Sequence, residues 1–386
     1  MRIAHFTNTF IPTISGVVRN VATIQKSLTE LGNQVFIFTE KVNGHANPHP
    51  HIFRYPTLNF RLPMDFPAIF PFSPTIDKQL TQLQLDIIHT HHPFSLGHAA
   101  AAKARRLNLP LIFTFHTLYW EHAHYVPLPA SLAQKIVREI IEKRVRDFVR
   151  RCDHIVVYTE SLQRMLRTKY DLGNKVSVVP TAIDLAPYQS LNPMEIRSQL
   201  GWGIDPVMIS VGRLGIEKNW MTLLEAGIHA MRVCPKLRIV IIGDGPERDR
   251  LQHYALNQGA DGQVSFMGKI PFEEIPKYLK AADLFGFAST TETIGRVTIE
   301  ALAAGLPIVA VNATGTRDIV EHDREGLLTD NNAQALGEAI IKVLGDESLR
   351  ARYRVTAEQK SKLYNLEREA GMLLDVYQRV IKETRI

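Results

Sequence analysis

Two cations follow a predicted strand in the second half of the chain. Strand Val207–Val211 runs into a turn that carries Arg213 and Lys218. In open parallel sheets ligands bind at the carboxyl ends of the strands, so the two cations stand where a ligand would lie. Arginine can bind a diphosphate through its planar fork, and lysine adds a point charge. The pair predicts a diphosphate site; a solvated surface turn is the alternative.

A second segment combines two carboxylates with a helix start. A predicted strand ends at Ala288, a threonine-rich loop carries Glu292, and a helix begins near Gly295 with Glu300 on its first turns. Glu300 is placed to accept hydrogen bonds from a ribose diol, and Glu292 from sugar hydroxyls. The alternative is a capped core helix with Glu292 as a surface charge. Unpaired amides at the helix start favour phosphate or sugar oxygens, and they belong to Thr293, Ile294, Gly295 and Arg296.

A glycine pair follows the predicted strand Leu237–Ile242. Gly243 and Gly245 flank Asp244 there, ahead of a predicted helix. Such a pair is common in tight turns and is weak as a nucleotide-binding signature. We interpret it mainly as turn chemistry, with contact between Gly243 and a ligand as the second interpretation.

Strand-like runs alternate with helix-like runs along the whole chain. Several runs are continuously apolar, which is typical of parallel strands covered on both faces. This predicts an α/β fold with two Rossmann-like, doubly wound parallel-sheet domains facing a cleft. We assign residues 1–184 to an acceptor-binding domain, 185–200 to a linker and 201–365 to a donor domain. The last helix, 366–386, is expected to pack back on the first domain.

Composition narrows the class of protein. With 386 residues, 45% hydrophobic and 22% charged, the chain is long enough for two globular domains. Its first residues show no signal-peptide core, and its two cysteines match no disulfide or zinc spacing, so we expect a reduced, cytoplasmic protein. Residues 1–190 hold 21 Lys and Arg against 13 Asp and Glu. This basic half suits an anionic surface, and no nucleic-acid-binding motif accompanies it.

The ordered set of motifs resembles the retaining glycosyltransferases of family 4, which have the two-domain GT-B fold. The resemblance covers essentially the whole chain. It is carried by Ser15-Gly16-Val17-Val18, Phe115-His116-Thr117, Pro180-Thr181-Ala182-Ile183-Asp184, Gly212-Arg213-Leu214 with Lys218, Gly243-Asp244-Gly245-Pro246, and the glutamates Glu292 and Glu300. The segment 10–18 is also similar to the diacylglycerol glycosyltransferases within that family.

The resemblance implies a role for each matching residue. Arg213 and Lys218 would hold the donor diphosphate, and Glu300 would hold the ribose. Glu292 would contact the transferred sugar, and His116 would lie beside that sugar. Gly16 would touch the phosphate and acceptor region. Four positions depart from the family's usual residues, and they are Ser15, Ala182, Ile294 and Arg296. Arg296 near the sugar pocket leaves the identity of the donor open.

No two aspartates are separated by a single residue, so the Asp-x-Asp metal clamp is missing from the sequence. Arg213, Lys218 and the helix-start amides are expected to neutralise the leaving diphosphate instead of a divalent ion. We therefore predict catalysis without a metal or other cofactor. The resemblance implies retention at the anomeric carbon by front-face attack. His89, His91 and His92 are interpreted as loop-facing polar residues rather than metal ligands.

The first half also carries features typical of a membrane surface. Residues 134–151 have helical apolar spacing and seven cations against three acids. Such a helix suits anionic lipid headgroups; an ordinary domain helix with its apolar stripe in the core is the alternative. Aromatic residues in two loops are expected to dip into the membrane interface. The predicted acceptor and membrane residues are Phe60, Phe66, Trp120, Lys143, Arg144, Arg146, Arg150 and Arg151.

Together these features predict a peripheral glycosyltransferase on the inner face of the membrane. It would move a hexose from a nucleotide sugar, UDP-glucose or UDP-galactose, to diacylglycerol or monohexosyl-diacylglycerol. A phosphatidylinositol mannosyltransferase or a polysaccharide glycosyltransferase is the nearest alternative. A nucleotide-sugar epimerase and a weakly active lipid-binding protein are alternatives of another class.

Overall fold

The computed structural model describes residues 1–384 except 14, 43, 45–48, 63–65 and 122–130; the side chains of residues 59, 61, 62, 66 and 131–133 are also outside the description. The chain divides into two compact units. The first contains Met1–Ala182 and Leu366–Ile386, and the second contains Ile183–Asn365.

The first unit is built on a parallel sheet of seven strands. Their order is β3-β2-β1-β6-β7-β8-β9. The bounds are β1 Arg2–Phe6, β2 Gln34–Glu40, β3 Ile52–Tyr55, β6 Ile87–Thr90, β7 Leu111–Thr114, β8 His154–Val157 and β9 Val176–Val178. The sequence analysis predicted short strand-like runs of this kind along the whole chain. Between them lies an antiparallel pair that the sequence analysis missed, β4 Thr57–Leu62 and β5 Phe66–Ile69. The hairpin was not predicted because its sequence contains prolines and lacks a regular alternation of polar and apolar residues.

Helices cover both faces of this sheet. They are α1 Gly16–Glu30, α2 Pro74–Gln82, α3 Leu96–Leu107, α4 Ser131–Val149 and α5 Glu160–Tyr170. In α1 the residues Val18, Val21, Ile24 and Leu28 recur every three or four positions and are all buried. Ser15 caps this helix, because its side chain accepts a hydrogen bond from the Val18 amide at 3.2 Å.

The second unit has a parallel sheet of six strands in the order β12-β11-β10-β13-β14-β15. The strands are β10 Val207–Val211, β11 Arg238–Ile242, β12 Val264–Gly268, β13 Leu284–Phe287, β14 Ile308–Val311 and β15 Gly326–Thr329. The helices are α6 Ala186–Gln189, α7 Pro193–Gln199, α8 Trp220–Met231, α9 Arg248–Asn257, α10 Ile275–Ala281, α11 Arg296–Ala303, α12 Thr316–Ile319, α13 Ala333–Gly345 and α14 Glu347–Ser361. Two parallel sheets of this kind confirm the predicted fold class.

The chain ends in α15, Leu366–Thr384, which belongs to the first unit. Its Leu373, Val376 and Tyr377 share a buried cluster with Val21 and Ile24 of α1. Residues 185–200, the predicted linker, are largely helical as α6 and α7, and both helices pack on α10 of the second unit. Pro187 and Pro193 stand in the first turns of these short helices, where proline is tolerated.

Candidate active site

The turn after β10 carries Arg213 and Lys218, and neighbouring side chains hold its backbone in place. The indole N–H of Trp220 donates a hydrogen bond to the carbonyl oxygen of Arg213 at 2.8 Å. Asn219 adopts a left-handed conformation with φ of 55°. Its side-chain amide donates to the carbonyl oxygen of Ala288 at 3.3 Å and to Asn331 Oδ1 at 2.8 Å. The turn after β10 is thereby tied to the end of β13. Sequence reasoning had missed Asn219 and Trp220.

Lys218 and Glu292 meet in the second unit, although 74 positions separate them in the chain. Lys218 Nζ lies 2.5 Å from Glu292 Oε1, and their side chains are 26% and 14% exposed. The loop of Glu292 is also linked to the first turn by Thr291, whose hydroxyl donates to the Glu217 carbonyl at 3.5 Å. One predicted diphosphate ligand and one predicted sugar ligand are therefore in direct contact.

Arg213 keeps more of its side chain in solvent. Its guanidinium lies 3.8 Å from the carboxylate of Glu217, with side-chain exposures of 42% for Arg213 and 4% for Glu217. Glu217 is nearly buried and orients the guanidinium across one turn. The guanidinium of Arg213 is therefore partly accessible to solvent, on the same turn that carries Lys218.

Glu300 and Arg296 lie on the same face of α11. The helix begins at Arg296 with Gly295 as its N-cap, as the sequence predicted. Glu300 is buried with 1% side-chain exposure, and Arg296 Nε lies 3.8 Å from its Oε1. Thr293 and Ile294 are buried just before the helix. Arg296, the departure from the family pattern, therefore neighbours the carboxylate that is predicted to bind ribose.

Glycines let the site loops approach one another closely. A Cβ on Gly243, whose φ is +140°, would stand 1.8 Å from the carbonyl oxygen of Gly212. A Cβ on Gly245 would stand 2.5 Å from the carbonyl oxygen of Leu214. The glycine pair is thus required by the packing of two turns, which supports the first of its two interpretations. A Cβ on Gly315, which sequence reasoning did not single out, would stand 2.5 Å from the carbonyl oxygen of Glu292.

In the first unit, the loop between β1 and Gly16 is anchored by a buried glutamate. Glu40 at the end of β2 accepts hydrogen bonds from the Phe10 amide at 3.2 Å and from the Thr13 hydroxyl at 3.3 Å. Burial raises the pKa of Glu40, and its hydrogen bonds oppose that shift. Among the described residues, nothing lies within 4 Å of the position that a Cβ on Gly16 would occupy.

His116 is held from both ring nitrogens. Nδ1 lies 2.6 Å from the hydroxyl of Tyr158, and Nε2 lies 2.8 Å from Nδ1 of His91. Burial is the main cause that lowers the pKa of His116 well below its ordinary value, so the ring is neutral at physiological pH. Its contact with the transferred sugar stays a prediction.

The other strand-end histidines were misjudged as loop-facing. His89, His91 and His92 are buried, and burial lowers the pKa of His92 to about 3. His92 Nδ1 accepts a hydrogen bond from the Asn8 amide at 3.0 Å. The signal that was overlooked is alternation, because His89 and His91 are two positions apart and share one face with His5 of neighbouring β1. The ligand atoms of His5, His89 and His91 lie within 4.8 Å of one another.

The predicted membrane residues divide into exposed and buried ones. Phe60 is 56% exposed, and Lys143, Arg144, Arg150 and Arg151 are exposed too. Arg146 is half-buried, pairing with Glu142 at 3.4 Å. The side chain of Phe66 lies outside the described residues. Further exposed apolar side chains are Leu58, Phe70, Phe72, Ile136 and Ile140.

Trp120 does not belong to that surface. It is 4% exposed and lies in the core of the first unit, with its ring centroid 6.0 Å from that of Phe115. Lys169 Nζ lies 4.8 Å from the centre of the indole ring. The prediction for Trp120 was therefore wrong, since its short turn after β7 folds the ring inward against α5. No helix within the described residues combines the length and the apolar character needed to cross a membrane.

Two family profiles match the chain. The one described as Glycosyltransferase Family 4 matches residues 14–187, and the one described as Glycosyl transferases group 1 matches residues 194–360. Alpha-monoglucosyldiacylglycerol synthase of Streptococcus pneumoniae is 32% identical over 378 residues, covering 94% of this chain and 84% of that protein. The protein of the same name from Acholeplasma laidlawii is 29% identical, covering 88% and 87%.

Solved structures resemble the chain over its full length. Sucrose-phosphate synthase from Thermosynechococcus elongatus superimposes with a TM-score of 0.84 at 22% identity and covers 99% of both chains. HepE of Anabaena, solved in complex with UDP and glucose, superimposes with a TM-score of 0.78 at 18% identity, covering 98% of this chain and 100% of its own.

Proposed function

The chain belongs to family 4 of the glycosyltransferases, and on that premise we propose that it transfers a hexose from a nucleotide sugar to a membrane lipid. It is a hexosyltransferase with the GT-B fold. The proposed donor is UDP-glucose or UDP-galactose, and the proposed acceptor is diacylglycerol or monohexosyl-diacylglycerol. The names of the Streptococcus and Acholeplasma relatives support the acceptor, and the UDP and glucose bound to HepE support the donor.

The donor end of the proposal depends on the second unit. Arg213 and Lys218 bind the diphosphate, Glu300 accepts hydrogen bonds from the ribose, and Glu292 accepts from the transferred hexose. A carboxylate beside a lysine suits this division, since the contact with Lys218 holds the Glu292 side chain in place until the donor arrives. The amides at the start of α11, from Thr293 to Arg296, add partial positive charge.

The proposed reaction retains the anomeric configuration and needs no metal. The acceptor hydroxyl attacks the anomeric carbon on the face from which the nucleoside diphosphate departs. The bond between that carbon and the phosphate oxygen breaks, and the departing phosphate oxygen takes the hydroxyl proton. Arg213, Lys218 and the α11 amides stabilise the charge that develops on the diphosphate, in place of a divalent ion. His116 stays neutral throughout and positions the sugar.

The acceptor end depends on the exposed residues of α4 and of the segment that directly follows it, and this exposed surface carries the choice of a lipid. Ile136 and Ile140 are 50% and 53% exposed on this helix, and basic side chains accompany them. Exposed apolar residues beside cations are typical of helices that lie in a membrane interface. Phe60, Phe70 and Phe72 add exposed aromatic surface in the same unit. We propose peripheral binding to the inner face of an anionic membrane.

Mass spectrometry of lipids after incubation with donors tests this proposal. UDP-glucose and UDP-galactose are each offered to vesicles containing diacylglycerol or monohexosyl-diacylglycerol. A glycolipid heavier by one hexose is expected from one pairing. Donor turnover without any acceptor would instead identify an epimerase, and binding to vesicles with the donor unconsumed would identify a lipid-binding protein. Product only on phosphatidylinositol or on a soluble sugar would refute the proposed acceptor.

A charge-matched pair of variants tests the membrane surface. Neutralising Lys143, Arg144, Arg150 and Arg151 to glutamine is expected to weaken binding to anionic vesicles, because each cation near such a surface contributes about 1 kcal/mol. Neutralising Arg232, Lys236, Lys269 and Lys342, four exposed cations of the second unit, to glutamine serves as the control. Equal partitioning of both variants and the parent protein would contradict the assignment of the surface to α4.

A further inference from the structure

A continuous chain of hydrogen bonds runs through the first unit, from the strand ends to the C-terminal helix. Starting at Thr114 of β7, it passes through His89, Tyr377, His5, His91, His116, Tyr158 and Asn20 and ends on Glu369 of α15. Apart from His116, every residue on this path is at most 6% exposed. Buried groups of this kind must satisfy their hydrogen bonds internally, so the orientation of each one constrains the next.

The carboxylate end sets the orientation of Asn20. Its side-chain nitrogen lies 3.0 Å from Glu369 Oε1 and 2.8 Å from the hydroxyl oxygen of Thr181. A carboxylate only accepts hydrogen bonds, so the NH₂ group of Asn20 must face Glu369. The amide oxygen of Asn20 therefore faces Tyr158, whose hydroxyl donates to it at 3.2 Å.

This orientation determines which nitrogen of His116 carries the proton. The hydroxyl of Tyr158 has one hydrogen, and that hydrogen is given to Asn20. The Tyr158 oxygen must then accept from Nδ1–H of His116 across 2.6 Å. Because a neutral imidazole has one donor and one acceptor, Nε2 of His116 accepts, and its donor is Nδ1–H of His91 at 2.8 Å.

The same direction continues through the remaining histidines. Nε2 of His91 accepts from Nδ1–H of His5 at 2.8 Å. Nε2 of His5 accepts from the hydroxyl of Tyr377 at 3.5 Å, and the Tyr377 oxygen accepts from Nδ1–H of His89 at 2.6 Å. The Thr114 hydroxyl then donates to Nε2 of His89 at 2.7 Å. Every donor along this path is used once, which is consistent with a single direction.

We propose that Glu369 is a positioning residue for the transfer reaction, because it directs this chain and so holds His116 as the Nδ1–H tautomer. The role in transfer rests on the proposed function, in which His116 lies beside the sugar. His116 then serves as a fixed neutral ring with both nitrogens engaged inside the protein, and it does not act as a general base. Through Glu369, the C-terminal helix α15 thereby fixes the orientation and tautomer of the His116 ring.

NMR of the full-length protein labelled with ¹⁵N-histidine tests the tautomers directly. Long-range ¹H–¹⁵N spectra distinguish a protonated ring nitrogen from an unprotonated one. In the parent protein His5, His89, His91 and His116 are all expected to be protonated at Nδ1 and not at Nε2. A protonated Nε2 on His116 would overturn the proposal. A stoichiometric shift of the His5, His89 and His91 signals on adding Zn²⁺ would also overturn it, since a bound metal ion would replace the hydrogen bonds that these histidines make along the path.

Variants test the part played by Glu369. Glu369→Gln removes the obligatory acceptor, because an amide can present either oxygen or NH₂ to Asn20. The ratio of Nδ1–H to Nε2–H on His116 is expected to fall by about tenfold, the effect of replacing a charged hydrogen-bond partner by a neutral one. Tyr158→Phe breaks the chain next to His116 and serves if the first variant folds poorly. An unchanged ratio in a folded Glu369→Gln protein would refute the directing role of Glu369, and an unchanged ratio in Tyr158→Phe would refute the path through which it acts.

Arg379→Gln is the matched control on the same helix. Arg379 lies 3.2 Å from His154 Nε2 and donates to the Ser177 hydroxyl at 2.7 Å. Neither partner belongs to the hydrogen-bond path from Thr114 to Glu369. It is expected to move only the signals of His154 and to leave kcat unchanged. Glu369→Gln is expected to lower kcat with less than about a twofold change in KM for the nucleotide sugar. The spectra need no substrate, so a correct tautomer pattern in a protein without transferase activity would refute only the proposed function.

Discussion

Replacing Glu292 by glutamine is expected to tighten UDP binding while slowing hexose transfer. In the structure Lys218 Nζ lies 2.5 Å from Glu292 Oε1. On the proposal that Lys218 binds the donor diphosphate, UDP competes with this carboxylate for the ammonium group. Glu292→Gln removes the competing charge and leaves a side chain of the same shape. It also removes the acceptor that is proposed to contact the transferred hexose, so binding and turnover should change in opposite directions.

The size of the effect follows from the exposure of the pair. At an effective dielectric constant near 20, two charges about 4 Å apart interact by about 4 kcal/mol. Lys218 and Glu292 are 26% and 14% exposed, so solvent screens part of this attraction. We expect a net gain of about 1 kcal/mol for UDP, which corresponds to roughly a fivefold lower Kd.

Isothermal titration of UDP into both proteins measures this difference without depending on the acceptor. Glu247→Gln is the matched control, because it removes the carboxylate of another ion pair of the second unit, Arg250–Glu247 at 3.0 Å. Its Kd for UDP is expected to equal that of the parent. A Kd for Glu292→Gln that is unchanged or higher would refute the competition between Glu292 and the diphosphate for Lys218.

Three further predictions concern stability and chemistry. Burial lowers the pKa of His5 and of His92 to about 3, so below pH 6.5 the unfolded chain binds protons that the folded chain does not. The free energy of unfolding in urea is therefore expected to fall as the pH drops below 6.5, by up to about 1.4 kcal/mol per pH unit for each histidine. Equal urea midpoints at pH 7.5 and pH 5 would contradict this. Gly243→Ala is expected to lower the thermal midpoint, because its Cβ would stand 1.8 Å from the Gly212 carbonyl oxygen. Gly371→Ala on α15 is the contrasting variant: its Cβ meets nothing within 4 Å, and the change is expected to stabilise the protein by up to about 1 kcal/mol. Transferase activity is expected to survive EDTA, and a loss that Mg²⁺ restores would show that the charge on the diphosphate is not neutralised by Arg213 and Lys218 alone.

The strands were predictable because each parallel strand is a short apolar run bounded by turn residues. Strand Val207–Val211 has the predicted bounds, since both faces of the sheet are buried. The hairpin of β4 and β5 was not predicted, because its residues mix prolines, aromatics and cations without a clean period. Helices α6 and α7 were taken for a linker for a similar reason: their prolines look like breakers but stand where a helix begins.

Side-chain environment was harder to predict than backbone structure. Trp120 resembled a membrane-facing residue because aromatic and polar residues surround it in the sequence, yet it packs beside Phe115. Ile136 and Ile140 fit a core stripe by spacing, yet they are exposed. Spacing shows which residues share a face of a helix, and it does not show what lies opposite that face.

The amino-acid sequence by itself determined the alternating α/β architecture, the family and the placement of cations and carboxylates at strand ends. These properties depend on local patterns of polarity and on residues close in the chain. Tertiary structure alone decided that Lys218 contacts Glu292 and that His116 is linked through Tyr158 and Asn20 to Glu369. Those partners are tens to hundreds of positions apart, and only the register of parallel strands and the packing of α15 bring their atoms within hydrogen-bonding distance.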